Sequence, residues 1–442
     1  MFIVILFNII VYCIAFSFIS NLGGYKKNLP FSFSLAIFIV YYLITPTYFF
    51  YSGRKTIWGD EKVFATVGVD ISDYYVTVLL YYGIANIFYI LGYIIPKTKK
   101  KFILKGKKLF EIKLINPQRT IVVLFSIIFF IVLANFVFYG FNISALLIGD
   151  ESQALGGNAG LSNYIKNIVD SLIILLVIAF HFDVRRSILL VMTTLSFILF
   201  GLLFFRYRII LTLLGFIFSY LYKKKENKIN IVRTTILLAV SFYFVLFFTV
   251  NRNTLLNADW KSISFSLAEF DYGVIFEQTR GMLDDINIIK HYEIIDTNEK
   301  YEYGMNFFYV FVRLLPRSLV GDEYKDSLYP PPIFKIIARA YALPDSWGTQ
   351  GEAPLHYAYF YMAGGLFGLF FLSFLSGFFI RMFQNRYPAN NDLYIILNIA
   401  VSLALFQLIT RGYFPQFVDH LSYLLLGYWL FVKLVSKKKS KV

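Results

Sequence analysis

The chain has 442 residues, 58% of them hydrophobic, 20% aromatic and only 16% charged, with a formal net charge of +15. That balance excludes an ordinary soluble domain, in which about a quarter of residues are charged, and fits a polytopic membrane protein. Cys13 is the one cysteine, so an intramolecular disulfide and a cysteine metal site are excluded as well.

The positive charge does not point to nucleic acid. Residues 251–352 carry 15 Asp or Glu against 10 Lys or Arg, so this stretch is acidic and the excess of cations lies elsewhere, in short loops between apolar runs. Such loops report orientation in a membrane rather than a polyanionic partner. The abundance of Phe, Tyr and Ile reads as a base-composition effect and receives no catalytic weight.

From the amino terminus, apolar runs of about bilayer-crossing length fall at about 2–19, 31–51, 74–95, 120–139, 165–182, 187–205, 209–222, 234–250, 354–380, 392–409 and 421–435, about eleven in all. Met1–Ile19 lacks a basic leader and a small-residue cleavage site, so it is read as the first span. Lys26 and Lys27, the cluster from Lys97 to Arg119, Arg185 and Arg186, Lys223 to Arg233, Arg381 and Arg386, and Lys433 to Lys441 then share one face. Positive residues mark the cytoplasm. The amino terminus is therefore expected outside, the carboxyl terminus inside and residues 251–352 outside. Reading Ser187 to Tyr222 as one helix would put Lys223-Lys224-Lys225 outside, which argues for two spans there.

The expected organisation is a membrane domain over 1–250 with about eight spans, a large extracytoplasmic loop over 251–352, and a membrane segment over 353–442 with about three spans and a basic cytoplasmic tail. A membrane protein that keeps one large polar loop beside its lipid-embedded body tends to work there.

Arg206 and Arg208 lie in Phe204-Phe205-Arg206-Tyr207-Arg208-Ile209-Ile210, between two spans. Guanidinium groups this close to lipid need an anion or water. They fit a diphosphate clamp, because the planar fork grips phosphate oxygens bidentately; they also fit an interfacial anchor that reaches for headgroups. In the loop, whose second residue is Arg252, the apolar run Phe307 to Leu315 contains Arg313 and is followed by Pro316 and Arg317. It is too short to cross and is expected in the interface, with its arginines at phosphate depth or on the loop surface. Asp345 to His356 is a Gly-containing loop running into the ninth span. Pro354 suits the first helical position, with Glu352 just before it and His356 in the first turn. Free N–H groups there favour an anion, and His356 or Glu352 fits a proton acceptor; Glu352 also fits a helix cap, and His356 an interfacial residue. Near the end, Thr410-Arg411-Gly412-Tyr413-Phe414 repeats the theme of a fixed cation at the outer boundary. His181, His291 and His420 have no metal-ligand spacing, and no Walker loop, dinucleotide fingerprint or zincin motif is present.

In outline, with many spans and one dominant external loop before the last few, the chain resembles Wzy-type oligosaccharide repeat unit polymerases. Leu314-Leu315-Pro316-Arg317-Ser318-Leu319 looks like that family's Pro-Arg segment. Gly351-Glu352 through Met362-Ala363-Gly364-Gly365 is similar to its lead-in to the following span, Arg411-Gly412 to its Arg-Gly turn, and Arg206 or Arg208 to its mid-chain arginine. The chain departs from the family at Met362-Ala363-Gly364, where a Phe-Gly pair is frequent, and after Val320-Gly321-Asp322, where Lys-Pro is absent.

The resemblance implies an all-α polytopic fold related to lipid-dependent membrane glycosyltransferases of the GT-C-like kind, in a bacterial cytoplasmic membrane. It implies transfer of a growing chain from undecaprenyl diphosphate to a sugar hydroxyl of an incoming lipid-linked repeat, on the extracytoplasmic side, as in lipopolysaccharide O-antigen or capsule synthesis. Arg206, Arg208, Arg252, Arg313, Arg317 and Arg411 would hold diphosphate, and His356 or Glu352 would deprotonate the acceptor. Neither a cofactor nor a metal is expected, because arginines can neutralise the leaving diphosphate. The partners are undecaprenyl-diphosphate-linked oligosaccharides, membrane lipids and a chain-length regulator, with no nucleic acid. Two alternatives stay open: an O-antigen ligase, which differs in its acceptor, and a lipid-linked oligosaccharide flippase, for which paired internal repeats are expected.

Overall fold

The computed structural model describes residues 1–55, 70–96, 113–114, 116–138, 167–202, 206–223, 279–295, 303–314 and 354–437, with the isolated positions 243, 276–277, 301, 321 and 324. In chain order the helices are α1 (Phe2–Asn21), α2 (Leu29–Ile39), α3 (Thr45–Tyr51), α4 (Tyr75–Ile94), α5 (Pro117–Phe138), α6 (Asp170–His181), α7 (Arg186–Leu202) and α8 (Arg206–Lys223). They continue with α9 (Gly281–Lys290), α10 (Met305–Leu314), α11 (His356–Met362), α12 (Gly365–Arg386), α13 (Asp392–Arg411) and α14 (Phe414–Val435). Among the described residues the one strand pairing is two residues long, Lys113–Leu114 antiparallel to Ser436–Lys437.

Among the described residues, seven helical stretches are long and apolar enough to cross a bilayer: Phe2–Asn21, Leu29–Tyr51, Tyr75–Ile94, Pro117–Asn135, Gly365–Arg386, Asp392–Arg411 and Phe414–Val435. The chain is a multi-pass, all-α membrane protein. The other expected spans depart from that list for local reasons. Asp170–His181 is shorter than a bilayer crossing, Arg186–Leu202 is slightly short, and Arg206–Lys223 carries charge at both ends. The span expected at 234–250 lies outside the described residues apart from Tyr243. The expected span at 354–380 is two helices: the chain breaks after Met362, and Gly365 takes a left-handed φ of 61° at the start of α12. Over Ser187 to Tyr222, expected as two spans, the described residues form α7 and α8, and residues 203–205 lie outside them.

The residues form two compact units: Met1–Phe102 with Ile275–Tyr387 and Ala404–Asp419, and Ile103–Val274 with Pro388–Leu403 and His420–Val442. Helices α13 and α14 each give one portion to either unit.

In the first unit, burial selects polar side chains as well as apolar ones, as expected where the surroundings are hydrocarbon. Along α1 the buried stripe is Asn8, Val11, Tyr12, Ala15 and Ile19, at helical spacing, while Phe2, Ile3, Ile10 and Ile14 face outward. Asn8 donates to the Leu79 carbonyl at 3.2 Å, and Asn86 donates to the Tyr12 hydroxyl at 2.8 Å, fixing α1 on α4. Helices α4 and α12 approach backbone to backbone: a Cβ at Gly92 would collide with the Phe374 carbonyl, and one at Gly377 with the Tyr89 carbonyl. Small residues permit that contact in a membrane. Between α2 and α3 the chain makes a π-helical turn, Val40–Ile44. Pro46 accounts for it, since its missing N–H leaves the carbonyl four residues back, that of Tyr42, without its usual donor.

Helix α9 belongs to the stretch expected as an external loop, yet Met282 to Ile289 are all buried within this unit. Polar staples hold it. Thr45 meets Thr279 at 2.8 Å, Arg54 pairs with Glu277 at 3.0 Å, and Lys290 pairs with Asp73 at 2.7 Å.

The second unit is organised around α6, whose residues Asp170 to Ala179 are all buried and which packs on α5, α7 and α8. A helix apolar on every side is stable only when surrounded. Ser171 donates to the Tyr423 carbonyl at 2.7 Å, and a Cβ at Gly427 would stand 2.9 Å from the Ser171 carbonyl oxygen, so α14 lies close against α6. At the far end of α6, His181 meets Ser219 at 2.9 Å and Asp392 at 3.3 Å.

Candidate functional site

The lead-in to α11 is the best-defined part of the predicted site. Leu355, extended at φ −77° and ψ 170°, precedes the helix, so His356 is its first residue and Pro354 lies one step before the cap rather than inside it. An anion was expected at this helix start. The place is taken by the chain's own carboxyl: Asp285 of α9 accepts the Leu355 N–H at 2.7 Å and the Tyr82 hydroxyl at 2.8 Å. Burial pushes the Asp285 carboxyl up to about 8, against the pull of those two hydrogen bonds.

His356 is buried, at 3% exposure. Its Nδ1 lies 2.7 Å from the Tyr42 hydroxyl, its ring interacts with the backbone of Ile409, and Phe38 stacks on it with centroids 5.3 Å apart. The π-helical turn is what aims Tyr42 here. Tyr42 also stacks on Tyr357 at 4.8 Å, and Tyr357 donates to Asn86 at 2.7 Å. The imidazole sits within an aromatic packing cluster, with Nδ1 on the Tyr42 hydroxyl. As a general base His356 would have to present a lone pair to the acceptor hydroxyl, so the Tyr42 contact at Nδ1 would have to open or the role would pass to Nε2.

The Arg411-Gly412 turn meets this lead-in. Gly412 has a φ of 63°, and a Cβ there would collide with the Tyr359 ring and lie 2.6 Å from the Pro354 carbonyl oxygen. Two motifs separated by about fifty residues of sequence thus touch, and only glycine permits it. Arg411, the last residue of α13, is exposed, and its charge acts on Tyr41.

Arg208 belongs to the second unit and is not offered to solvent. Its side chain is 1% exposed and its Nε is ion-paired to Asp170, whose other oxygen lies 2.8 Å from Nδ1 of His420. The guanidinium that was expected in a diphosphate clamp has an internal carboxylate instead, as a buried charge requires. Arg206 opens α8, and Arg313 lies on α10; the side chains of both, and the whole of Arg252, Arg317 and Glu352, lie outside the described residues.

The motif reading overlooked Asp170, His420, Asp285 and Tyr42. Asp170 carried a usable signal, being an acid inside an apolar run, where an ionisable residue calls for a partner of opposite charge. No family profile, curated protein or solved structure matches the chain.

Proposed function

We propose that the protein is a polymerase of lipid-linked oligosaccharide repeats, transferring a growing saccharide from undecaprenyl diphosphate to a hydroxyl of an incoming lipid-linked repeat outside the cytoplasmic membrane. The observation that carries this reading is the contact of Gly412 with Pro354 and Tyr359, which joins the Arg-Gly turn to the lead-in segment. Both are stretches on which the family resemblance rests. In this reading Arg411, with Arg313 and Arg317, neutralises the departing diphosphate, as stabilisation of a leaving anion requires. Glu352, beside the lead-in, takes the acceptor proton, while His356 holds the lead-in in shape. The fold would be of the GT-C-like kind, with the amino terminus outside and the carboxyl terminus in the cytoplasm.

The test is the saccharide pattern of a deletion strain. Polymerase activity predicts single repeats outside the cell and no long chains, restored by the intact gene and not by R411A. Long chains in the deletion strain would refute the reading. Repeats retained inside would identify a flippase, and long lipid-linked chains that fail to reach lipid A core would identify a ligase.

A further inference from the structure

Within the first unit the π-helical turn His291–Ile295 that follows α9 carries Glu293, which is half-buried. Its carboxylate accepts the hydroxyl of Tyr361 at 2.7 Å and that of Tyr74. Among the described residues no lysine or arginine pairs with it. Lys290, less than one turn earlier, is directed away to Asp73 and to the Asp70 carbonyl at 2.6 Å. A carboxylate compensated by neutral phenols alone is built for hydroxyl donors, and a phenol oxygen can itself accept from a further hydroxyl.

Aromatic rings wall the same group. Tyr292 and Tyr301 lie parallel, with centroids 5.5 Å apart and planes 4° from each other, and both meet Tyr361 edge-on. Gly365 fixes Tyr301: its φ is 61°, and a Cβ there would stand 2.8 Å from the Tyr301 hydroxyl. The glycine that breaks the chain between α11 and α12 therefore also makes room for the ring.

We infer that Glu293, with the hydroxyls of Tyr74 and Tyr361 and the stacked rings of Tyr292 and Tyr301, is a saccharide-binding subsite. Sugar rings present clusters of neutral hydroxyls beside an apolar C–H face, which this arrangement matches group for group; a diphosphate would be repelled by the unpaired carboxylate. The ligand class rests on the polymerase reading, whereas the geometry does not.

The test uses the full chain in lipid nanodiscs and, as probe, the oligosaccharide freed by mild acid from the source cell's lipid-linked material, followed by saturation-transfer NMR. The wild type is expected to give a saturable signal. E293Q and Y361F are expected to weaken affinity by about tenfold or more, the loss typical of a hydrogen bond to a charged group. Should both variants fail to fold, Y301L, which removes a half-exposed ring, is expected to give the same loss. Equal affinity in wild type and folded variants, or no signal from the wild type, overturns the subsite. Loss of long chains in the deletion strain with undiminished binding by E293Q would remove the subsite alone. Unaltered chains in the deletion strain with binding lost in E293Q would remove the polymerase reading and leave the subsite.

Discussion

Arg208 and Asp170 face each other from neighbouring helices of the second unit, both buried, with His420 on the second carboxylate oxygen at 2.8 Å. Removing one member of such a pair strands the other in a medium that cannot solvate it. D170N is therefore expected to cost about 3–5 kcal/mol, whereas the double replacement R208M/D170L, which removes both charges, is expected to be near neutral. Thermal unfolding of the purified chain in detergent measures this. The double variant also separates structure from catalysis: if Arg208 grips diphosphate, long polymer disappears even though the protein stays folded.

Much of the architecture was legible because apolar length is a strong signal: α1, α4, α5 and α13 fall within a few residues of the expected spans, and α14 ends with its expected span but begins about two turns before it. Where the sequence misleads, three-dimensional contacts override composition. Residues 281–290 read as polar loop, yet Asp284, Asp285 and Asn287 are buried, Asp285 on the Tyr82 hydroxyl, and hydropathy scores such side chains as though they faced water. Residues 354–380 read as one span because no average over a window detects a left-handed glycine. The arginines were visible as residues, but their partners were not, since Asp170 lies 38 positions from Arg208 and no local spacing joins them.

His356 and Tyr42 give the second prediction. Y42F removes the hydroxyl that meets Nδ1 and leaves a buried ring nitrogen unsatisfied, for an expected loss of about 1–3 kcal/mol. H356A also deletes the ring that Phe38 and Tyr357 pack against, and is expected to cost about 3–5 kcal/mol, the range for loss of a buried ring. Polymer formed per folded molecule decides the role of the imidazole. Y42F retaining activity in proportion to folded protein fits a packing role; a drop of about a hundredfold in H356A with folding intact would restore it as general base.

The α4–α12 contact gives predictions of opposite sign. G92A and G377A each drive a methyl group into a facing backbone carbonyl, so the helices must separate, at an expected cost of about 1–3 kcal/mol or more. G201A, on α7, meets nothing within 4 Å and should gain up to about 1 kcal/mol from helix propensity. Comparable melting of all three variants would mean that α4 and α12 are not in backbone contact.

Asp285 makes stability depend on pH. Its carboxyl is raised to about 8 in the folded protein by burial, whereas an unfolded chain releases that proton near a pH of about 4. Between those values the folded state holds a proton that the unfolded state has lost, so raising the pH favours unfolding across this window, and the decline levels off above it. Asn at this position imitates the protonated acid: its oxygen can accept the Leu355 N–H, and its amide can donate to Tyr82. D285N is thus expected to match the wild type near pH 5 and to exceed it near pH 9, with a flatter profile between. Unfolding midpoints of the two proteins across that range provide the measurement, and parallel curves would show that the buried acid does not titrate in this interval.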